Sequence, residues 1–248
     1  MTPRLYVLPL ATFAAATEAY VYVGLLTELT ADLGVSIAAG GSLAAAFTLV
    51  YAISVPFLAS LTAHWDRTRV LVLGLGGVAV INAAAAYAPN FETLLATRIA
   101  AGFAAALIGP SASTAASHMV PPERRGRAIA IVLAGTTLAF SLGVPVGSAI
   151  GGAFGWRSTF LFASAIAALA AVMIAIVLPR TGETERAGLS SLRLAVRPDV
   201  LAVLLQTTAA FAATFATISL IGPLSETIAD LSGGEIGLVQ ACIGVGSI

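Results

Sequence analysis

Two residues, Glu18 and Arg98, place a charge inside stretches of sequence that are otherwise strongly apolar. A charge near the centre of a bilayer costs about 2.5–3.5 kcal/mol on insertion scales, so such residues normally face a bundle interior and are functional by default. Burial disfavours an ionised carboxylate, whereas a neighbouring guanidinium favours it. A carboxyl balanced between these effects can change its protonation near neutral pH. We therefore predict that Glu18 is a proton-coupling site and that Arg98 tunes it.

The positions of Glu18 and Arg98 predict that they lie at similar depths in a membrane. Glu18 comes 13 residues after Leu5, which is about 20 Å along a helix. Arg98 comes 5 residues after Thr93 on a helix that runs the other way, about 8 Å from the opposite side. In an apolar layer of about 30 Å these heights nearly coincide. The two side chains can pair, directly or through water, if their helices are neighbours. The alternative is a purely structural ion pair that holds two helices together.

A glycine-rich stretch around Pro145 forms the second feature. Gly143, Gly147 and Gly151 recur at intervals of four and so share one face of a helix, and Gly152 follows directly. Small residues at this spacing let helix backbones approach closely in lipid. Pro145 lacks a backbone donor and bends or loosens the helix. The stretch predicts a tight packing face with a kink, and a smooth bent face can also rock against a partner helix.

Other arrangements of reactive residues do not indicate an enzyme. His64 and His118 are too far apart to form a metal site. Ser111 and Ser113 have no His and Asp arrangement that would activate a nucleophile. A single cysteine, Cys242, excludes an internal disulfide. The sequence also has no Walker-type phosphate loop. We expect no enzymatic activity and no cofactor, with the proton gradient as the energy source.

The composition indicates the class of protein that must position these residues. The chain has 248 residues, of which 58% are hydrophobic and 10% are charged, whereas soluble domains carry about 25% charged residues. This low charge density excludes an ordinary soluble enzyme, a disordered chain and a nucleic-acid binder. Twelve basic and twelve acidic residues balance, so no polyanionic partner is indicated. The lipid bilayer is the predicted surrounding.

The apolar residues fall into stretches long enough to span a bilayer as helices, for which about 20 residues are needed. Seven such stretches are Leu5–Leu26, Ile37–Leu61, Val70–Ala88, Thr93–Ser117, Ala128–Phe154, Ser158–Leu178 and Val200–Ile221. An eighth begins near Ile236 and reaches the last residue, Ile248, after a rise of only about 20 Å. The first stretch begins like a signal peptide, but its apolar run continues to Leu26, beyond an ordinary signal sequence. We predict that it is a membrane helix.

The arginines predict the orientation of these helices. Ten of the twelve basic residues fall on one side: Arg4, Arg67, Arg69, Arg124, Arg125, Arg127, Arg180, Arg186, Arg193 and Arg197. The opposite side carries Arg157, and Arg98 lies within a helix. An excess of positive charge marks the cytoplasmic side of a membrane protein. The sequence therefore predicts a cytoplasmic N-terminus.

Four stretches together resemble the major facilitator superfamily. The resemblance is closest to its twelve-helix drug:proton antiporters, in the branch with bacterial sugar-efflux and chloramphenicol-resistance-type permeases. Thr17–Leu26 resembles the acidic first-helix motif, and Asp66–Arg69 resembles the Asp-Arg-x-x-Arg-type cytoplasmic loop. Arg98–Gly102 resembles the Arg-x-x-x-Gly motif that is implicated in proton transfer. Gly143–Gly152, followed by Gly155–Phe160, resembles the antiporter signature.

The resemblance implies an all-α polytopic membrane protein of the bacterial cytoplasmic membrane. Its expected parts are a six-helix N-terminal bundle (residues 1–178), a cytoplasmic linker (179–199) and the start of a C-terminal bundle (200–248), with a seventh helix and a truncated eighth. A complete carrier of this family has twelve helices in two bundles that rock around a site at their interface. The expected partners are therefore lipid, protons, a small-molecule substrate and a second six-helix half.

The resemblance also implies roles for particular residues. Asp66, Arg67 and Arg69 are expected to form a gating loop that locks the inner gate, although the stretch Ser60–Trp65 lacks the glycine with which that motif usually opens. Arg67 and Arg69 have an alternative role as positive anchors at the membrane surface. The antiporter-motif helix comprises Gly143, Pro145, Gly147, Gly151 and Gly152.

The predicted function is proton-coupled efflux, by antiport, of small amphipathic or drug-like compounds. The expected substrate cavity contains Tyr22, Phe47, Tyr51 and Phe140. Sugar or metabolite efflux is the alternative, and a polyol site would need more polar side chains than Asn82 and Gln206 within the helices. An inactive transporter fragment or a membrane sensor remains the further alternative.

Overall fold

The computed structural model describes residues 3–179, 197–203, 205, 206 and 209, and these form helices and turns without a strand. Six consecutive helices in this part of the chain are long and apolar enough to cross a membrane. They are α1 (Pro3–Asp32), α2 (Ile37–Leu61), α3 (Arg67–Ala86), α4 (Phe91–His118), α5 (Pro122–Phe154) and α6 (Arg157–Val177).

These six helices confirm the first six predicted stretches to within a few residues, except at the end of α1 and the start of α5. The predicted seventh helix falls largely outside the described residues, and so do the eighth and most of the linker. The division into residues 1–178, 179–199 and 200–248 therefore stays a prediction. The end at which α1 begins is the predicted cytoplasmic face, and the opposite end is the predicted external face.

Helix α1 extends six residues beyond the predicted end at Leu26 and finishes at Asp32. The strongly apolar run stops at Leu26, but the fully buried Leu29 packs in a cluster with Leu43 of α2 and with Trp156, which directly precedes α6. The Thr30 hydroxyl donates to the Leu26 carbonyl oxygen at 2.9 Å. Tertiary packing thus keeps the chain helical where apolar content alone predicts a loop.

Polar residues fix where three helices begin. Ser36, Asp66 and Asn90 precede α2, α3 and α4, and each side-chain oxygen accepts a hydrogen bond from the backbone N–H three residues later, at 3.2, 2.8 and 2.9 Å. Such caps satisfy backbone donors that a helix leaves unpaired at its start. Between α5 and α6, Gly155 turns the chain with a φ of 84°, a conformation that favours glycine. Short connections therefore hold consecutive helices antiparallel.

Helix α1 lies at the centre of the described bundle and contacts α3, α4, α5 and α6. Helix α3 packs along α6, where Ser164 Oγ donates to the Ala79 carbonyl oxygen at 2.7 Å. The buried side chains between the helices are mostly alanine, leucine and valine, and small residues permit this close approach. Large apolar side chains such as Ile53, Phe57, Val80 and Ile176 lie exposed on the outside. This outer surface is suited to lipid.

Gly143, Gly147 and Gly151 of α5 face α1, which confirms the predicted packing face, whereas Gly152 is exposed and a Cβ there would meet no other atom within 4 Å. A Cβ added at Gly143, Gly147 or Gly151 would collide with, respectively, Thr17, Val21 or Leu25 of α1. The same row continues toward the predicted cytoplasmic face, where a Cβ on Gly135 would collide with the Pro9 carbonyl oxygen. Only residues without a side chain allow the two backbones to approach this closely.

Helix α5 is loosened where the sequence predicts a kink. Ala139–Gly143 form a π-helical turn that ends two residues before Pro145, and the Val144 N–H donates to the Ala139 carbonyl oxygen. Because Pro145 has no N–H and its ring crowds the preceding turn, the wider turn accommodates it. A π-helical turn inside an α-helix frequently marks a functional position.

Candidate functional site

Glu18 and Arg98 form a direct ion pair inside the bundle. Arg98 Nη1 donates to Glu18 Oε1 at 2.7 Å, and the two side chains are 1% and 0% exposed. Helix α1 carries the carboxyl and α4 the guanidinium, and the two helices are in contact. This confirms the prediction that the residues lie at matching depths and pair. Their role in proton coupling stays a prediction.

Arg98 has a second hydrogen-bond partner that the sequence did not indicate. Its Nη2 donates to Asn82 Oδ1 of α3 at 3.1 Å, and Asn82 Nδ2 donates to the Val78 carbonyl oxygen at 2.9 Å. Asn82 is fully buried. In the sequence Asn82 is a lone amide in an apolar helix, and it indicates at most a contact for a sugar. The structure places it beside the pair of Glu18 and Arg98.

Two aromatic rings complete the surroundings of the Arg98 guanidinium. Its Cζ lies 4.9 Å from the ring centre of Phe160 and 5.6 Å from that of Tyr22. Arginine is attracted to the faces of aromatic rings at such distances, by about 2 kcal/mol or more where the pair is desolvated. Groups from α1, α3 and α6 therefore surround a cation that α4 supplies. We name this set, Glu18, Tyr22, Asn82, Arg98 and Phe160, the ion-pair site.

Several polar atoms at the ion-pair site make no hydrogen bond within the described part of the chain. They are Glu18 Oε2, Arg98 Nε, Tyr22 Oη and the neighbouring Thr17 Oγ1. Buried polar groups are normally hydrogen-bonded, so each exception calls for an explanation. A carboxylate with one oxygen held by Arg98 and the other unengaged has a position at which a proton can bind.

Gly102 explains the spacing of the Arg-x-x-x-Gly stretch on α4. A Cβ at this position would come within 2.6 Å of the Phe47 carbonyl oxygen and 3.3 Å of the Tyr51 N atom, both in α2. The glycine therefore lets α4 pack closely on α2, one turn along the helix from Arg98. The predicted proton-transfer motif thus combines a charge that faces α1 with a surface that fits α2.

The structure separates Tyr22 from the other three aromatic residues that are predicted to line a substrate cavity. Phe47 and Tyr51 stack on α2 with ring centres 6.1 Å apart, and Phe140 of α5 lies 5.2 Å from the ring of Tyr20. Tyr51, Phe140 and Tyr20 are half-buried. Tyr22 instead lies in the ion-pair site, 1% exposed, with its ring centre 5.7 Å from that of Phe160. Tyr20 was missed in the sequence because nothing distinguished it from its neighbour Tyr22.

The structure places the residues of the predicted gating loop at the start of α3, with Asp66 directly before the helix and Arg67 and Arg69 in its first turn. Asp66 caps α3, the largely buried Arg67 donates from Nη2 to the Ala63 carbonyl oxygen at 2.6 Å, and Arg69 is exposed. Within the described residues, Asp66 and Arg67 thus organise their own loop. Their contacts with a gate stay a prediction.

The capping role of Asp66 leads to a stability prediction. Asp66→Ala should lower the free energy of unfolding by about 1 kcal/mol, whereas Asp66→Asn should be nearly neutral because Asn caps a helix as well as Asp does. Thermal unfolding of the purified variants in detergent measures the difference. Equal losses in the two variants would show that the charge of Asp66, and not its cap, stabilises the loop.

A second polar cluster lies at the predicted external face. Arg157 Nη1 donates to Asp32 Oδ2 at 2.6 Å, and Trp156 Nε1 donates to the same oxygen at 3.0 Å. The Arg157 guanidinium also lies 4.2 Å from the centre of the Trp156 ring. Asp32 and Arg157 are 47% and 42% exposed. The cluster joins the end of α1 to the start of α6, a pairing that the sequence did not reveal.

Comparison with known proteins places this arrangement in context. The sequence model of the Major Facilitator Superfamily matches residues 8–248. A protein named chloramphenicol resistance protein from Streptomyces lividans is 33% identical over 252 residues, which cover 98% of this chain and 63% of the relative. A protein named chloramphenicol efflux pump from Mycobacterium tuberculosis (strain H37Rv) is 30% identical over 255 residues, which cover 100% of this chain and 62% of the relative. The chain thus spans a little under two thirds of the length of these relatives.

Solved structures share the fold. A crystal structure of a bacterial homologue of the human lysosomal transporter Spinster, inward-facing and unoccupied, matches with a TM-score of 0.79 and 22% identity, over 100% of this chain and 62% of that one. The peptide transporter POT in complex with sulfate matches with a TM-score of 0.64 and 17% identity, over 98% of this chain and 49% of that one. At these identities the likeness concerns the fold alone.

Proposed function

The chain belongs to the major facilitator superfamily, a family of membrane transporters and not of enzymes, and from this we propose that it supplies the N-terminal bundle of a proton-coupled exporter. The exporter would carry small amphipathic or drug-like compounds out of the cell in exchange for protons. The chain is an all-α, multi-pass membrane protein with six described membrane-spanning helices. The proposal concerns its cargo, its energy source and its direction of transport.

The observation that carries the proposal is the buried pair of Glu18 and Arg98. An ionisable group within membrane helices is expensive to bury and usually serves an ion or substrate pathway. One carboxylate oxygen accepts from Arg98, and the other makes no hydrogen bond to the described residues. Protonation of Glu18 would leave Arg98 as an uncompensated cation in a low-dielectric interior. Such a change in charge can favour one arrangement of packed helices over another.

The cargo class is supported by the aromatic side chains and by the names of relatives. Tyr20, Tyr51 and Phe140 are half-buried on α1, α2 and α5, and they offer ring faces with two phenolic hydroxyls. Ligand sites are mostly apolar, with a few polar groups that fix orientation. Two relatives carry chloramphenicol in their names. Compounds that combine an aromatic ring with polar groups fit this surface.

Transport also requires a second bundle. Alternating access in this family is a rocking of two bundles around a site at their interface. We propose that the described helices form one of them, with the arginine-rich end of the bundle facing the cytoplasm. The glycine row of α5 packed on α1, next to a π-helical turn, would let these helices shift against each other as the bundles rock.

Proton efflux from acid-loaded everted membrane vesicles tests the proposal. The vesicles would come from cells that express the chain together with any residues that its coding sequence adds beyond Ile248. The compounds would be a panel of amphipathic antibiotics and sugars. We expect antibiotics to trigger proton release. Glu18→Gln should reduce this release at least tenfold, because an amide keeps a hydrogen-bond acceptor for Arg98 but cannot bind and release a proton.

Glu28→Gln is the matched control, because it makes the same substitution at an exposed position of the same helix. It should behave like the wild type. Release triggered by sugars alone would assign metabolite efflux instead. Compound-dependent release that survives in Glu18→Gln would remove Glu18 from the proposal.

A further inference from the structure

Asn82 is the second side-chain acceptor for Arg98 in the ion-pair site. Arg98 donates one nitrogen to Glu18 Oε1 and the other to Asn82 Oδ1, so the guanidinium is shared between α1 and α3. All three side chains are essentially excluded from solvent. Asn82 offers the cation a neutral acceptor, and Glu18 offers it a charged one.

The orientation of the Asn82 amide is set by its own helix. Its Nδ2 donates to the Val78 carbonyl oxygen at 2.9 Å, one turn earlier in α3. An amide has its donor and its acceptor on opposite sides, so this bond directs Oδ1 toward Arg98. The reversed amide would present a donor to a cation that has only donors and would lose both hydrogen bonds.

The two protonation states of Glu18 place different demands on Asn82. While Glu18 is ionised, the carboxylate compensates Arg98. Once Glu18 takes up a proton, the guanidinium remains charged because it does not lose a proton in proteins. Glu18 Oε1 can then still accept a hydrogen bond from Arg98 but offers it no charge, so Asn82 Oδ1 and the ring faces of Phe160 and Tyr22 supply more of the stabilisation of the cation.

We propose that Asn82 is a positioning residue that holds Arg98 when Glu18 is protonated and thereby sets the pH at which Glu18 exchanges its proton. This inference rests on the proposed role of Glu18 as the proton site. It adds α3 to the helices that take part in coupling. Without the Asn82 acceptor, the protonated state of Glu18 would leave a buried cation with one neutral Glu18 oxygen and the aromatic faces as its stabilising contacts at the site.

The groups that face Glu18 from each neighbouring helix support a simple interpretation of its titration. The charged and titratable ones in the described residues are Arg98 of α4 and Tyr22 of α1 itself. Helix α3 presents the neutral Asn82, and α6 presents the ring of Phe160 to Arg98. Helix α5 packs on α1 beside Glu18 through Gly143. A change at residue 82 is therefore a change in the immediate surroundings of the Glu18–Arg98 pair and not in a distant charge network.

Infrared difference spectroscopy of the purified chain in lipid tests the inference without requiring transport. The carbonyl stretch of a protonated carboxyl is followed against pH, and the part that Glu18→Gln removes in the same background belongs to Glu18. Asn82→Leu deletes the acceptor, so protonation of Glu18 should need about a tenfold higher proton concentration, a midpoint about one pH unit lower. Asn82→Asp places a carboxylate beside Arg98, so the midpoint should move to higher pH.

Ser164→Ala is the control, because it removes another hydrogen bond to α3, the one that Ser164 donates to the Ala79 carbonyl oxygen, without touching Arg98. It should leave the midpoint unchanged. Asn82→Asp has nearly the same shape as the wild type and decides the question even if Asn82→Leu does not fold. A midpoint in Asn82→Asp that is unchanged or lower would overturn the inference about Asn82 but not the proposed role of Glu18. A wild type without any Glu18 signal that titrates would overturn both the inference and the proposed proton site.

Discussion

Arg98→Leu is expected to lower the free energy of unfolding by about 3–5 kcal/mol, because it leaves the Glu18 carboxyl buried without its partner. The two side chains are in direct contact, with 2.7 Å between Arg98 Nη1 and Glu18 Oε1, and both are almost completely excluded from solvent. The loss should shrink as the pH falls, since the unpaired carboxyl can then take up a proton and lose its charge. Denaturation of the purified variant in detergent micelles, repeated between neutral and acidic pH, measures both effects.

Two further variants test whether the loss of stability comes from the unpaired Glu18 carboxylate or from removal of an arginine side chain as such. Glu18→Gln combined with Arg98→Leu removes both charges and should recover most of the lost stability. Arg157→Leu makes the same substitution at the pair with Asp32, in which both side chains are more than 40% exposed. Because solvent screens exposed pairs, its cost should stay near or below about 1 kcal/mol. Equal losses at Arg98 and Arg157 would contradict the view that burial makes the inner pair decisive.

Gly147→Leu should prevent α5 from packing on α1. A Cβ at Gly147 already collides with Val21 of α1 and lies close to Phe162 of α6. Inserting extra side-chain atoms into a filled interior costs about 1–3 kcal/mol and sometimes more, and leucine adds four carbons here. We expect little folded protein in the membrane fraction and a sharply lower melting temperature for what remains.

Gly152→Leu provides the matched control on the same helix. A Cβ at Gly152 meets no other atom within 4 Å, and the residue is exposed. The substitution also replaces glycine with a better helix former. Expression and melting temperature should therefore equal or exceed those of the wild type. If both leucine variants lost stability to the same extent, the cause would be the loss of glycine itself and not the contact with α1.

The helix pattern and the depth of charged residues could be predicted because both depend on local sequence. About 20 apolar residues are needed to cross a bilayer, and this requirement located all six described helices. A constant rise of 1.5 Å per residue placed Glu18 and Arg98 at the same height, and the structure pairs them. The interval of four between Gly143, Gly147 and Gly151 predicted a common face, since helix periodicity is also local.

The partners across helices could not be predicted in the same way. Periodicity gives the faces of each helix but not which face turns toward which neighbour. In the sequence Asn82 is therefore an isolated amide, and no sequence pattern places Phe160 against Arg98 or Asp32 against Arg157. The same limit applies to Tyr20 and Tyr22, which are two residues apart and point into different surroundings.

The sequence by itself determined that this is a polytopic membrane protein, where its first six helices lie, and which two charges share a depth. The tertiary structure decided that α1 continues to Asp32, that Arg98 is held from α1 and α3 together, and that the glycine row of α5 packs on α1. The physical reason is that apolar content and helical rise act along the chain. The rotation of each helix about its axis is set by packing against residues that are distant in sequence.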